Sequence, residues 1–143
     1  MMMSLRKLYT GAWMLTLCGC ASSAPNDTLY DALGAQQGVA SITDSFIKHI
    51  AKDEAIFPYF AKSSVSHFRQ GFQTHICDIS GGPCEYTGDT MEDIHTGMKI
   101  NEADFNRVVE LLIMALEDNG IDYPTQNRLL KLLAPMRSDV IKI

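Results

Sequence analysis

Cys77 and Cys84 flank Gly81-Gly82-Pro83, and a lone histidine, His95, follows seven residues after Gly88. The Gly-Gly-Pro triplet predicts a hard helix stop. Glycine supplies left-handed backbone, while proline lacks an amide donor and disfavours helix before it. Tyr86-Thr87-Gly88 continues the turn, and Met91 to His95 then predicts a short helix that presents one imidazole between Gly88 and Gly97. A neutral imidazole is a metal ligand, but most histidines are surface or satisfied core residues, so His95 alone decides nothing. The two thiols are not a zinc site, because no third and fourth ligand lie at metal-binding spacing. Asp53-Glu54 and Glu117-Asp118 are expected to be solvated pairs rather than catalytic ones, and no Ser-His-Asp arrangement accompanies them.

The elements that must position these residues are helical in pattern. Val39, Ile42, Phe46 and Ile50 mark one apolar face, and Val65, Phe68, Phe72, Ile76 and Ile79 mark a second at three-to-four spacing. A third face carries Phe105, Val108, Val109, Leu112, Ile113 and Leu116, and a fourth carries Leu129, Leu132, Leu133, Met136 and Val140. Caps bound them: Ser63 or Ser64 for the second, Asn101 with Glu102 and Asp104 for the third, Asp122 with Pro124 for the last. Gly120 is placed to end the third helix, and Pro135 predicts a kink in the fourth. Four amphipathic helices each need a partner surface, so the fold class is all-α.

The 143 residues leave room for one domain. Arg6 and Lys7, an apolar run through Leu8 to Leu17, and small residues before a cysteine have the layout of an export signal. That run is too short to span a bilayer as a mature helix. Leu17-Cys18-Gly19-Cys20 resembles a bacterial lipoprotein cleavage box, which implies residues 1–19 as signal and Cys20 as the lipidated first mature residue. Ala21 after it resembles the sorting pattern for the outer membrane, facing the periplasm. Residues 20–28 would be a short tether and residues 29–143 the domain. Losing Arg6 and Lys7 takes the net charge from -5 to -7. An acidic domain without basic clusters argues against nucleic acid as a partner. An oxidising periplasm would permit Cys77 and Cys84 to pair, the alternative being two free thiols.

The block Gly81-Gly82-Pro83-x-x-Tyr86-Thr87-Gly88, with Met91 and then His95, resembles the group I truncated haemoglobins over about Leu29 to Ile141. The resemblance implies a two-over-two helical sandwich and makes His95 the proximal ligand of haem iron. Without a Cys-x-x-Cys-His, the haem would be non-covalent haem b. The resemblance also places Phe60 against the haem with Phe46 behind it, Phe68 and Phe72 on the distal helix, and Phe105 and Val108 on the helix after His95. Met91, Ile94 and Met98 flank the ligand. Met98 lies only three residues after His95, on the same side of the ring, and is rejected as a sixth ligand.

The departures from the family pattern bear on function. Many members hold bound oxygen with a Tyr and a Gln where this chain has Ile47 and Phe72, neither of which can donate a hydrogen bond. An internal sixth ligand is not expected where Gln70 and Gly71 stand. His75 could restore a donor, or could be a rim histidine meeting solvent or a propionate; His67 is expected off the haem-facing stripe. The family's Gly-Gly near the end of its first helix is Gly34-Ala35 here. The implied function is reversible binding of a diatomic gas (O2, CO or NO). The alternatives are an enzyme oxidising NO, which would need an unknown reductase, and an electron-transfer haem protein.

Overall fold

The computed structural model describes residues 28–141. The expected signal segment, Cys20 and the tether up to residue 27 lie outside the described residues. Thr28, the last residue of the expected tether, caps the first helix. Its hydroxyl accepts from the Asp31 amide at 3.1 Å, and the Asp31 carboxylate accepts from the Thr28 amide at 3.1 Å. This reciprocal cap starts helix α1 (Leu29–Ala32).

Every described element is helical. After α1 come α2 (Ala35–Lys52), α3 (Phe57–Phe60), α4 (Val65–Ile79), α5 (Met91–His95), α6 (Glu102–Asp118) and α7 (Tyr123–Leu133), then a 3-10 segment (Ala134–Asp139). The capping side chains act where the sequence places them. Ser64 accepts from His67, Asn101 from Asp104 and Asp122 from Thr125, each through its side-chain oxygen to a backbone amide. Gly120 follows the end of α6 with φ +67°, a conformation that costs glycine nothing.

The arrangement is the two-over-two helical sandwich, with α2 at its centre. Helix α2 packs against both α4 and α6. Its face of Val39, Ile42, Phe46 and Ile50 is fully buried, as the spacing predicts. On α6 the buried line is Leu111, Leu112, Ala115 and Leu116, and Leu129 of α7 closes the core against it. Val65 at 54% exposure and Leu132 at 39% fall outside the faces to which their spacing assigns them.

Pro135 does not kink a continuing α-helix. Helix α7 ends at Leu133 and the chain tightens into the 3-10 segment, with Pro135 in its first turn. Proline has no amide to donate four residues back and its ring crowds that carbonyl, so the α pattern stops there. Of the two acidic pairs only Asp53 differs from expectation, since Glu54, Glu117 and Asp118 are exposed. Asp53, only 9% exposed in its side chain, accepts from the Ala55 and Ile56 amides and from Arg107 Nε at 2.7 Å. Asp118 meets His49 Nε2 at 2.8 Å. Both carboxylates tie α2 to α6, and both partners lie more than fifty residues away in sequence, beyond the reach of any local pattern.

The corner between α1 and α2 is built on Gly34 at φ +89° and Ala35 at φ +52°. Two consecutive left-handed residues turn the chain so tightly that a Cβ on Gly38 would strike the Leu33 carbonyl. The geometry suited to Gly-Gly is therefore retained with alanine in the second place. Among the described residues no helix is long and apolar enough to cross a membrane.

Candidate functional site

His95 is the last residue of α5, a helix of five residues that needs firm ends to persist at all. Thr90 caps its start by accepting from the Asp93 amide at 3.1 Å, and Gly97 at φ +80° lets the chain turn away after it. The ring of His95 is fixed as well as its backbone. Its Nδ1 lies 2.7 Å from the Met91 carbonyl oxygen, which can only accept. Nδ1 therefore carries the proton and donates it, and Nε2 is left as a bare lone pair on a half-buried ring.

The phenylalanines gather as one cluster where α2, α3 and α4 meet. Phe46 of α2 is buried, with its ring centroid 6.3 Å from Phe68 and 5.2 Å from Phe72. Phe60, at the end of α3, stands edge-on to Phe68 at 5.1 Å. Ile47, Phe60 and Phe68 border an apolar pocket of about 60 Å³ that reaches Phe57 and Val65. Nothing on that wall can donate a hydrogen bond to a small molecule beside Ile47 except the Ser63 hydroxyl.

Phe105 and Val108 lie on α6, both half-buried, with the Arg137 guanidinium 5.7 Å from the centre of the Phe105 ring. Arg137 belongs to the 3-10 segment, and α5 packs against that same segment. The His95 side and the Phe105 side of the site are thus held to one support. By contrast α4 packs closely on neither α5 nor α6. Phe68, Phe72, Met91, His95, Met98, Phe105 and Val108 all stay half-buried as a result. Apolar side chains of this size left partly open, with one free imidazole nitrogen among them, are what a flat apolar macrocycle with a central metal requires. The residues present fit haem.

His75 is not a rim residue. It is only 8% exposed, and its Nε2 is buried without a hydrogen-bond partner. Burial holds its imidazole below the ordinary histidine range, with the Asp78 charge opposing the shift. Its ring meets Tyr86 edge-on at 5.1 Å. Tyr86, read from sequence only as part of a turn, is anchored by its amide to the Asp78 carboxylate at 3.3 Å and by its hydroxyl to the Asp89 carbonyl at 3.0 Å. Cys77 and Cys84 form a disulfide with Cα atoms 5.8 Å apart, closing the turn beneath Tyr86. Gly82 must be glycine there, because a Cβ would come within 2.6 Å of Cys77 Sγ and 2.8 Å of the Tyr30 ring. His67, Gln70 and Met98 make no contribution to the phenylalanine cluster; His67 and Gln70 are exposed.

Comparison with known proteins agrees with this geometry. The family model for bacterial-like globins matches residues 28–142. The group 1 truncated haemoglobin of Tetrahymena pyriformis is 25% identical over 114 residues, covering 80% of this chain and 94% of that protein. The group 1 truncated haemoglobin GlbN of a Nostoc species is 29% identical over 94 residues, covering 66% of this chain and 80% of that one. In fold, the Fe(III) form of the Tetrahymena pyriformis protein superposes with a TM-score of 0.78, covering 82% of this chain and all of that chain at 24% identity. The group II truncated haemoglobin from Bacillus anthracis superposes with a TM-score of 0.74, covering 83% and 94% at 18% identity. The chain belongs to the bacterial-like globin family, a family of haem proteins.

Proposed function

We propose that this chain binds haem b without covalent attachment, through His95 Nε2, and takes up a diatomic gas reversibly. Haem held by His95 would supply an iron site able to take up O2, CO or NO. The observation that carries the reading is the hydrogen bond from His95 Nδ1 to the Met91 carbonyl. It fixes the tautomer, aims the free nitrogen and raises its basicity as a ligand. Phe60, Phe68 and Phe72 supply apolar surface that excludes water from the slot, and Phe46 backs Phe68 and Phe72. Phe105, Val108, Met91 and Met98 are assigned to the opposite wall.

Ile47 and Phe72 stand where a donor would retain oxygen, and neither has one to give. That supports loose gas exchange over oxidation of NO by retained oxygen. Export and lipidation at Cys20 belong to the same proposal; the Cys77–Cys84 disulfide supports them, since such bonds persist in oxidising compartments.

Haemin titrated into the purified protein, then reduced and exposed to CO, tests the reading. One equivalent should give a Soret band that shifts on CO from a five-coordinate ferrous form. Failure to take up haemin overturns the proposal, and a six-coordinate ferrous form replaces the open gas site with an internal ligand.

A further inference from the structure

Helix α5 has little of its own to hold it in place. Five residues are too few to persist by helical bonds alone, and the 3-10 segment is the element on which α5 packs closely. Between Ile79, which ends α4, and Met91, which begins α5, residues 80–90 form turns and irregular chain. The position of His95 therefore depends on how that stretch is anchored.

The anchoring runs as a chain of contacts that starts at the disulfide. Cys77 is 3% exposed and belongs to the core, and the bond holds Cys84 against that core with the Cα atoms 5.8 Å apart. Inside the closed loop the Gly82 amide donates to the Cys77 carbonyl at 2.8 Å. Two residues past Cys84, the Tyr86 amide donates to the Asp78 carboxylate at 3.3 Å and the Tyr86 hydroxyl to the Asp89 carbonyl at 3.0 Å. Asp89 precedes Thr90, whose hydroxyl accepts from the Asp93 amide and caps α5. The last link is the bond from His95 Nδ1 to the Met91 carbonyl. One of these links is covalent, and it is the one that a thiol breaks.

The two sulfurs differ in access. Cys77 is buried, whereas Cys84 is only partly so, which makes Cys84 Sγ the atom an incoming thiolate reaches. Attack by one sulfur of a dithiol forms a mixed disulfide with Cys84 and breaks the Cys77–Cys84 bond, whose electron pair leaves on Cys77 and takes up a proton. The second sulfur of the dithiol then attacks the first, leaves with it as a disulfide and releases Cys84, which is protonated in turn. Two electrons and two protons pass from the dithiol to the protein. Cys77 stays in the core, and Cys84 loses its tie to it.

We infer that Cys77 and Cys84 form a thiol–disulfide switch on the haem site: the disulfide form fixes α5 and the His95 imidazole, and the dithiol form releases the loop that carries them. The inference rests on the proposed haem site. Tyr86, Asp89 and Thr90 act as positioning residues that pass the state of the sulfurs to α5.

The test holds the haem-loaded protein in its ferrous CO form, where the iron takes no electron from a thiol, and compares it before and after dithiothreitol. Alkylation followed by mass measurement counts free thiols, amide hydrogen exchange reads the loop and α5, and flash photolysis reads CO rebinding. Opening the link between residues seven apart should speed exchange at Tyr86 and Ile94 by up to roughly thirtyfold and change the CO rebinding rate, with both restored on reoxidation. Cys84→Ser should show the reduced behaviour from the start and ignore the dithiol. Faster exchange confined to Gly82 and Tyr86, with Ile94 and CO rebinding unmoved, overturns the switch and leaves a local staple. Cysteines that stay unlabelled in the folded protein after dithiothreitol overturn it as well, as does a Cys84→Ser protein that still responds to the dithiol. A parent protein that holds no haem brings down the haem reading instead, and exchange at Ile94 then decides the coupling by itself.

Discussion

The carbonyl oxygen of Met91 lies 2.7 Å from Nδ1 of His95, one helical turn ahead of it on the same five-residue helix. The acceptor is backbone, so the tautomer of His95 depends on α5 being folded rather than on the identity of any neighbouring side chain. Replacing His95 by Ala should abolish stoichiometric haem binding or convert the spectrum to that of exogenous ligation, and added imidazole should restore a five-coordinate ferrous form. A His95→Ala protein with the parental spectrum in both oxidation states would remove the proximal assignment.

Ile47 borders the apolar pocket of about 60 Å³ beside Phe60 and Phe68. Ile47→Tyr brings a phenolic donor to that wall and should slow O2 dissociation by roughly tenfold, the value of one added hydrogen bond. Stopped-flow displacement of O2 by CO measures it. An unaltered rate means that the bound ligand already has its donor.

Much of this architecture is legible in the sequence because it depends on neighbours three and four residues apart. The buried face of α2, the caps at Ser64, Asn101 and Asp122 and the turn around Gly81-Gly82-Pro83 are all local. What local pattern misses depends on partners brought in by the fold. Asp53 reads as a solvated carboxylate until Arg107 arrives from α6, and His75 reads as a rim residue until Tyr86 folds over it. Val65 keeps the spacing of an apolar face yet stays exposed, at the first residue of α4.

The left-handed Ala35 carries a conformational cost that glycine would not. An L-residue in this region is disfavoured by about 1–2 kcal/mol, and glycine returns part of that by its greater freedom in the unfolded chain. Ala35→Gly should therefore stabilise the fold by up to about 1 kcal/mol, visible as a higher midpoint in urea at unchanged slope. Gly38→Ala should do the reverse and strongly, because its Cβ would collide with the Leu33 carbonyl rather than with a side chain that can move aside. A neutral Gly38→Ala would mean that the α1–α2 corner is looser than this geometry.

The disulfide joins residues seven apart in sequence. Closing so short a loop in the unfolded chain is worth about 2 kcal/mol. Cys84→Ser should lower the stability of the protein by about that amount, with a second consequence that separates it from a simple staple. Tyr86 lies two residues beyond Cys84, so freeing the turn should loosen its bond to the Asp89 carbonyl ahead of α5, and the variant should show altered CO stretching as well as a lower urea midpoint. Loss of stability with an unmoved CO band would confine the disulfide to the backbone.

Acid stability should divide between two groups whose protonation is biased in the same direction. The Arg107 guanidinium beside Asp53 holds its carboxyl below the usual carboxylate range. The folded state then resists the proton that the unfolded state accepts near pH 3.9. The contribution is fully present above that value and is lost as pH falls through it toward the lower folded value. His75, kept neutral by burial, is also lowered, so the unfolded chain takes its proton first, near pH 6.5, and stability falls from there downward. Urea midpoints measured from pH 8 to pH 3 should accordingly show two declines in the parent protein. His75→Leu should remove the one that begins near pH 6.5, and Asp53→Asn should reduce the one below about pH 4, to which Asp122, also held low by its bonds to Thr125, contributes as well. The assignment fails for either group if its variant keeps the parental slope in that window, since no other shifted group named here titrates between them.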